Sequence, residues 1–293
     1  MITAKQVSEL RSKTGAGMMD CKKALTECNG DIDKAIDWLR EKGIAKAAKK
    51  ADRIAAEGKA NIYSDGNKAV ILEVNCETDF VTKNQEFVDL VDTIGNSLLK
   101  LDKIDSLDDA LNAKVDGDKT VSTLVTEKVA KIGEKINLRR AALVKKTDDE
   151  NFGIYIHMGG KIASLVVIKG GNTDIAKDVA MQSAAMRPSY LNPEDVPEDV
   201  LKKESEVLKA QAMESGKPEN IAEKMVQGGL NKFYKENCLI KQEYIKDSSI
   251  DIEKYLKNNK AEIVSFVRYE VGEGLEHRSE NLAEEVAKQI KNA

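Results

Sequence analysis

One order of strands and helices occurs twice along this chain of 293 residues. Apolar runs flank the turn Asp65-Gly66-Asn67, and an Asp-Gly turn between apolar runs is typical of a β-hairpin. Helices and a strand at 138–146 follow this hairpin. A second hairpin, turning at 158–161, is again followed by helices and by a strand at 263–271. We therefore predict an α+β fold with a duplicated core, whose two halves are built on antiparallel sheets.

The first 43 residues predict a small bundle of three short helices. Thr3 and Asp31 are residue types that begin helices well, whereas Gly15 and Gly43 are placed to end them. A three-helix bundle of this size resembles the ubiquitin-associated type of module. Beyond it, the alanine-rich basic stretch at 44–57 predicts a linker helix leading into the core.

A helical hairpin is predicted inside the second half of the core. Helical patterns at 197–214 and 219–235 are separated by Gly216-Lys217-Pro218, a sequence that breaks helices. Both patterns are largely polar, with few apolar positions. We therefore expect two antiparallel helices that protrude from the core.

The chain ends in a predicted helix with an apolar face. Ser279 is its predicted N-cap, and Leu282, Val286 and Ile290 recur every four residues. Such a face must dock, either on the chain's own core or on a partner. The predicted domains are 1–55 (three-helix domain and linker helix), 56–147 (first half of the core), 148–275 (second half, with the hairpin at about 197–235) and 276–293 (C-terminal helical module).

Composition and motifs argue against membranes, metals and bond-making catalysis. The sequence has no run of about 18 apolar residues and no apolar signal core near its start, so we expect a cytoplasmic protein. Its four cysteines show no CxxC spacing and it has two histidines, so we expect no metal site and no other cofactor. Glycine-rich phosphate motifs and the GxSxG motif are missing from the sequence, so we do not expect an enzyme.

One basic stretch bears on nucleic-acid binding. Its positive residues recur at helical spacing among alanines: Arg40, Lys42, Lys46, Lys49, Lys50 and Arg53. The formal net charge of the chain is −4, whereas a nucleic-acid binder usually carries a basic face. We therefore interpret the stretch as a solvated helix face. We expect neither a direct nucleic-acid partner nor a membrane partner.

An acid and an aromatic residue stand side by side where a strand gives way to a helix. Val70-Ile71-Leu72 predicts a buried strand, and the helical pattern at 84–100 follows shortly after it. Asp79 and Phe80 lie in the connection between them, where loops face solvent and carry function. Either Phe80 packs on the chain's own core and Asp79 caps the helix, or the pair contacts another protein.

Three stretches resemble the elongation factor Ts family, in the order in which they occur in that family. They are Thr78-Asp79-Phe80-Val81, the run LRSKTGAGMMDCKKAL at 10–25, and the run RYEVGEG at 268–274. Because the stretches lie between residue 10 and residue 274, the resemblance covers essentially the whole chain. The resemblance implies a guanine-nucleotide exchange factor for elongation factor Tu, the GTPase that delivers aminoacyl-tRNA, and it implies the ubiquitin-associated-like bundle, the inserted hairpin and the C-terminal helix.

The resemblance also assigns roles to residues. It implies that Thr78, Asp79, Phe80 and Val81 displace Mg²⁺ in the GTPase. Further partner contacts are expected at His157, Gly159, Gly160, Met18, Met19, Leu282 and Val286. The residues alone favour a structural role for His157 and core filling for Met18 and Met19, with a partner contact as the alternative. The alternative function is a protein-binding adaptor or chaperone that uses the N-terminal bundle and the helical hairpin.

Overall fold

The computed structural model describes residues 2–14, 16–214, 216 and 218–276. They fall into two compact units. The first unit comprises Leu72–Leu143 and the described parts of Met1–Ser64 and Glu270–Ala293, and the second comprises Asp65–Ile71 and Val144–Tyr269. Within the described residues, no helix is both long enough and apolar enough to cross a membrane.

The N-terminal part of the first unit is the predicted three-helix bundle. Its helices are α1 (Ala4–Thr14), α2 (Met18–Glu27) and α3 (Ile32–Ala48). Asp31 caps α3, because its side chain accepts a hydrogen bond from the backbone N–H of Lys34 at 3.1 Å. The helices enclose a small core of fully buried residues: Leu10, Cys21, Ala24, Leu25 and Ala35.

Helix α3 differs from its prediction, because it does not end at Gly43. It runs through this glycine to Ala48, so the separate linker helix predicted at 44–57 is wrong. Gly43 is buried, and a Cβ at this position would lie 3.5 Å from the Cβ of Ala130. A Cβ would make only an ordinary contact there, so the packing does not require a glycine, and Gly43 lies within the helix although a glycine is typical of a helix end.

The first half of the core carries a three-stranded sheet and helices. Its elements are β1 (Glu57–Asp65), β2 (Lys68–Cys76), α4 (Asp79–Thr82), α5 (Gln85–Leu98), α6 (Leu107–Asn112), β3 (Lys114–Asp116), β4 (Lys119–Thr120), α7 (Val121–Ile132) and β5 (Ile136–Lys145). The sheet has the order β1-β2-β5, and β3 pairs with β4. The sequence pattern left 101–119 irregular, but Ser106 and Asp109 form a capping box that begins α6 there.

The second half of the core repeats this plan. Its elements are β6 (Glu150–His157), β7 (Ile162–Gly170), α8 (Thr173–Met186), α9 (Glu198–Glu214), α10 (Glu219–Asn237), β8 (Glu243–Tyr244), β9 (Asp247–Asp251), α11 (Ile252–Asn258) and β10 (Ala261–Glu270). Strands β6 and β7 pair antiparallel from Glu150 opposite Lys169 to His157 opposite Ile162. The core of this half includes Val166, Ile168, Val179, Leu239 and Ile252.

The two three-stranded sheets share one strand order, as the predicted duplication requires. In β1-β2-β5 and in β6-β7-β10, the second strand of a hairpin is central and the last strand of the half lies beside it. The inserted hairpin is also present, as α9 and α10. Gly229 of α10 lets the two helices approach closely, since a Cβ there would lie 2.4 Å from the side chain of Leu208. The predicted tail helix, with Ser279, Leu282, Val286 and Ile290, lies outside the described residues.

Candidate functional site

The segment Thr78–Val81, called the tip below, is separated from the buried strand β2 by one residue, Glu77. Its last three residues form part of α4, a helix of a single turn. Successive side chains of a helix point about 100° apart. The neighbouring apolar residues Phe80 and Val81 of α4 therefore face in different directions. Val81 is only 8 % exposed, whereas Phe80 is 78 % exposed. The tip is therefore anchored through Val81 and presents an aromatic ring to solvent.

The exposure of Phe80 overturns the interpretation in which its ring fills the chain's own core. The companion expectation, that Asp79 caps the following helix, is also wrong. Asn84 caps α5 instead, since its side chain accepts from the N–H of Glu86 at 2.9 Å. Asp79 lies in the first turn of α4 and pairs with Lys83 at 3.2 Å. Because both side chains are exposed, this ion pair is weak, and the carboxylate of Asp79 remains accessible to a partner.

The root of the tip is held by the connection between α7 and β5. The carboxylate of Glu134 accepts from the backbone N–H groups of Glu77 and Thr78 at 3.1 and 3.0 Å. It also accepts from the hydroxyl of Thr78 at 2.7 Å. In return, the side chain of Glu77 accepts from the backbone N–H of Lys135 at 2.6 Å. Two short segments, 77–78 and 134–135, are thus tied together in both directions.

The helix that follows the tip is fixed to α7 by charge. Glu86, in the first turn of α5, pairs with Lys128 at 2.9 Å and with Lys131 at 2.5 Å. Hydrogen bonds from Lys131 and Lys128 outweigh the effect of burial and hold the pKa of Glu86 below its usual range. The tip therefore stands between a buried strand and a helix whose apolar face, including Phe87 and Leu90, is buried.

Met18 and Met19 begin helix α2 of the bundle. They are 59 % and 75 % exposed, so they do not fill the bundle core, which Leu10 and Leu25 occupy. Unbranched, polarisable methionine side chains adapt well to a partner surface. These two residues form an apolar surface in the first unit that is separate in sequence from the tip.

His157 ends strand β6 in the second unit, next to the turn at 158–161. Its ring is exposed and stacks on Tyr155, with centroids 5.9 Å apart, and its Nδ1 lies 3.2 Å from the hydroxyl of Tyr155. Met158 is 72 % exposed and takes a left-handed φ of +48°, followed by Gly159 at +64° and Gly160 at +104°. Three successive positive φ values explain the glycine pair, since residues with a Cβ rarely adopt this conformation. The turn thus presents a histidine and a methionine to solvent.

Comparison with known families identifies the chain. The sequence model of a family described as Elongation factor TS matches residues 77–273. The match covers more than half of the chain and includes the tip, Glu134 and the turn after His157. The chain belongs to the elongation factor Ts family. It is therefore a member of a family of translation elongation factors.

The basic stretch of this elongation factor Ts family member is engaged within the first unit. Lys46 pairs with Asp20 at 3.1 Å, and Lys50 donates to the carbonyl of Gly133 at 2.5 Å. Arg53 pairs with Glu77 at 3.2 Å. The interpretation of the whole stretch as a solvated helix face is therefore wrong in part, because α3 ends at Ala48 and Lys50 and Arg53, which lie beyond it, are bound within the first unit.

The family resemblance pointed to the exposed residues of the site, whose exposure the residues alone left open, but neither source indicated the residues that hold the tip. Glu77, Glu134, Arg53 and Lys135 were not predicted to have a role. In the sequence, a glutamate in a polar connection cannot be distinguished from any solvated acid. The hydrogen bonds that these four residues make join positions at least 24 apart, so no local pattern predicts them. Gly133, with φ +90° at the end of α7, is the one local signal that the chain turns sharply there. Leu282 and Val286, predicted to contact a partner, lie outside the described residues.

Proposed function

We propose that this chain is a guanine-nucleotide exchange factor for the GTPase elongation factor Tu, acting in the cytoplasm during translation elongation. It binds the GDP form, disturbs the Mg²⁺ and phosphate site, and promotes exchange of GDP for GTP. The observation that carries the proposal is the tip: an acid and an aromatic side by side, accessible and firmly rooted, within the part of the chain that matches the family.

Exchange requires no bond-making chemistry from the factor. The factor must bind the nucleotide-free GTPase more tightly than the GDP-bound form. By thermodynamic reciprocity, it then weakens GDP binding by the same ratio. The chain therefore needs surfaces that fit the GTPase in its open state, and it needs no nucleotide site of its own.

In this proposal Phe80 enters an apolar crevice that opens only when the segments around the Mg²⁺ ion shift. Burial of one phenylalanine ring contributes roughly 2–3 kcal/mol, or about 30- to 150-fold in an equilibrium constant. Because the ring is 78 % exposed in the free chain, nearly all of this gain is still available on binding. Few packing contacts within the chain are lost when the ring of Phe80 enters the partner.

Asp79 acts beside the ring as a charged acceptor for the displaced segment. Its contact with Lys83 is an exposed pair that a partner group can replace at little cost. Thr78 and Val81 serve differently, since one is bonded to Glu134 and the other is buried. They fix the position of the tip against the sheet.

The tip cannot supply the whole effect, because displacing a tightly held nucleotide takes more than one buried ring. We assign supporting contacts to the apolar surface of Met18 and Met19 and to the turn with His157, Gly159 and Gly160. Leu282 and Val286 of the predicted tail helix complete the proposed set. Such a distribution over separate elements lets the total binding energy exceed that of any single side chain.

The rate of GDP release tests this function. Elongation factor Tu loaded with fluorescent GDP is mixed with excess unlabelled GDP, with and without this chain, and the fluorescence decay is followed. We expect the chain to accelerate the decay, and free Mg²⁺ in excess to reduce the acceleration. An adaptor or chaperone would bind the GTPase without changing the decay, and that result would overturn the proposal.

A further inference from the structure

We propose that Glu134 is a positioning residue for exchange: it acts through Thr78 to hold the tip in the conformation that enters the partner. This inference rests on the proposed function and assigns a role to a residue that need not touch the GTPase. The three contacts between Glu134 and the root of the tip are called the Glu134 clamp.

The clamp uses both oxygens of one carboxylate. Oε2 of Glu134 accepts from the N–H groups of Glu77 and Thr78, and Oε1 accepts from the hydroxyl of Thr78, at 3.1, 3.0 and 2.7 Å. All three donors lie at the point where the chain leaves β2 and enters α4. Hydrogen bonds to an ionised acceptor are stronger than those between neutral groups, so this point is firmly fixed.

The side chain of Thr78 is bonded to the clamp and not to the helix that it precedes. It is the N-cap residue of α4, with extended backbone angles of φ −128° and ψ 154°. A threonine in this position normally caps the helix with its hydroxyl. Here its side chain makes no capping bond, and the contact of its hydroxyl is the hydrogen bond that it donates to Glu134.

Helix α4 cannot hold the tip by itself. It has four residues, and a helix this short gains too few hydrogen bonds to be stable alone. Phe80 gives no support, since its ring points to solvent. Support must therefore come from tertiary contacts, which include the burial of Val81 on one side and the Glu134 clamp on the other.

Glu134 is itself held in place by its neighbours. Gly133 ends α7 with a left-handed φ of +90°, and its carbonyl accepts from Lys50. Lys135 donates its backbone N–H to Glu77 and its ammonium group to the carbonyl of Arg53 at 2.9 Å. The clamp is thus part of a fixed connection and is able to impose its geometry on the tip.

Loss of the clamp should lower the fraction of molecules whose tip is ready to bind. The apparent affinity of a protein falls in proportion to that competent fraction. For Glu134→Ala we expect GDP release at limiting factor concentration to slow by roughly tenfold, while the cooperative unfolding transition persists. Amide hydrogen exchange at Glu77 and Thr78 should accelerate, because both N–H groups lose their acceptor.

Conservative variants distinguish the clamp from a general effect on folding. In Glu134→Gln the amide oxygen can accept from the two backbone N–H groups, and the amide nitrogen can donate to the hydroxyl of Thr78. This variant should therefore retain most of the activity. Thr78→Ser, which keeps the hydroxyl, should likewise retain activity that Thr78→Val loses.

Asp109 provides a matched control in the same unit. Its carboxylate accepts from the N–H groups of Asp105 and Ser106 and from the hydroxyl of Ser106, at 3.0, 2.9 and 3.0 Å. Asp109→Ala thus removes the same three types of contact at a site unrelated to the tip. We expect it to leave GDP release unchanged.

The deciding experiment is a double-mutant cycle with Phe80→Ala, measured by release of fluorescent GDP from elongation factor Tu. If Glu134 acts through the tip, Glu134→Ala should cause little further loss once Phe80 is removed. Additive losses, or full activity of Glu134→Ala, would overturn the inference while leaving the proposed function intact. A wild-type chain that fails to release GDP would instead overturn the proposed function.

Discussion

Glu73 and Gly272 meet inside the first unit, although 199 residues separate them in the sequence. The fully buried carboxylate of Glu73 accepts from the backbone N–H of Gly272 at 2.9 Å. It also pairs with Arg139 and Arg140, at 3.1 and 2.6 Å. Gly272 has a left-handed φ of +77° and belongs to the run RYEVGEG, so the structure gives a physical reason for a glycine in that run.

The Glu73 network predicts a large loss of stability when its centre is removed. Glu73→Ala leaves two arginines and a buried N–H without their common acceptor, and breaking a buried charge network of this kind costs about 3 kcal/mol. Urea unfolding should show a lower midpoint with little change in slope. Glu262 is exposed at the start of β10, and Glu262→Ala is the control, expected within about 0.5 kcal/mol of wild type. Equal stability of the two variants would contradict the role of Glu73.

The same carboxylate predicts a contribution to acid sensitivity. Burial raises the pKa of Glu73, but the hydrogen bond from Gly272 and the charge of Arg140 outweigh it, and the pKa lies below its ordinary value. The folded state therefore binds this proton less readily than the unfolded state, whose glutamate titrates near pH 4.3. The stabilisation is complete above about pH 4.3 and is lost as the pH falls through the lower, folded-state pKa.

Urea unfolding of wild type and Glu73→Gln between about pH 3 and 6 measures this contribution, since glutamine cannot titrate. The free-energy gap between the two proteins should be widest near pH 6 and should narrow as the pH falls. A gap that stays constant across this range would show that Glu73 does not titrate differently in the folded and unfolded states.

The exposed methionines of the bundle predict an effect on binding without an effect on folding. Replacing Met18 and Met19 together by alanine should weaken binding to nucleotide-free elongation factor Tu by about tenfold, because two adaptable apolar contacts are lost. Isothermal titration calorimetry gives the affinity, and circular dichroism should show unchanged helix content. Leu10→Ala, in the fully buried bundle core, should instead destabilise the bundle by about 2–5 kcal/mol. Unchanged affinity of the double variant would remove this surface from the proposed interface.

Variants at the turn after His157 in the second unit should slow GDP release less than variants of the tip, and by different amounts. His157→Ala should slow GDP release by about fivefold, since one exposed polar contact is lost. Tyr155→Phe removes only the hydroxyl 3.2 Å from Nδ1 and keeps the ring on which His157 stacks, so its effect should lie between that of His157→Ala and wild type. Release measured at limiting factor concentration would show this order. If both variants match wild type, His157 has only a structural role.

The structural roles that could be predicted from the sequence are those that depend on neighbouring residues in the chain. Asp-Gly at a turn, Asp31 at a helix start and the apolar spacing along α5 each predict an element without knowledge of the rest of the fold. Phe80 belongs to this class only in part: an aromatic in a short polar connection is unusual, but its exposure was left open by the residues and is seen only in the structure. The repeated order of elements then gives the duplicated core, and the two sheets share it.

The residues that could not be predicted depend on distant partners. Gly95 lies inside α5 because the ring of Tyr63 occupies the space of its missing side chain. In the sequence Glu134 cannot be distinguished from a surface acid, but in the fold it accepts hydrogen bonds from Glu77 and Thr78 at the root of the tip. In each case a tertiary contact overrides the local preference of the residue.

In the proposed function, the accessible ring of Phe80 on the rooted tip opens the nucleotide site of a GTPase. GDP release from elongation factor Tu, stimulated by wild type and by Phe80→Ala, tests it most directly. Met213→Ala is the matched control, because Met213 is 79 % exposed and Phe80 78 % exposed. We predict a loss of roughly 30- to 150-fold for Phe80→Ala, with unfolding unchanged and with the control equal to wild type. Equal release by Phe80→Ala and wild type would contradict the account.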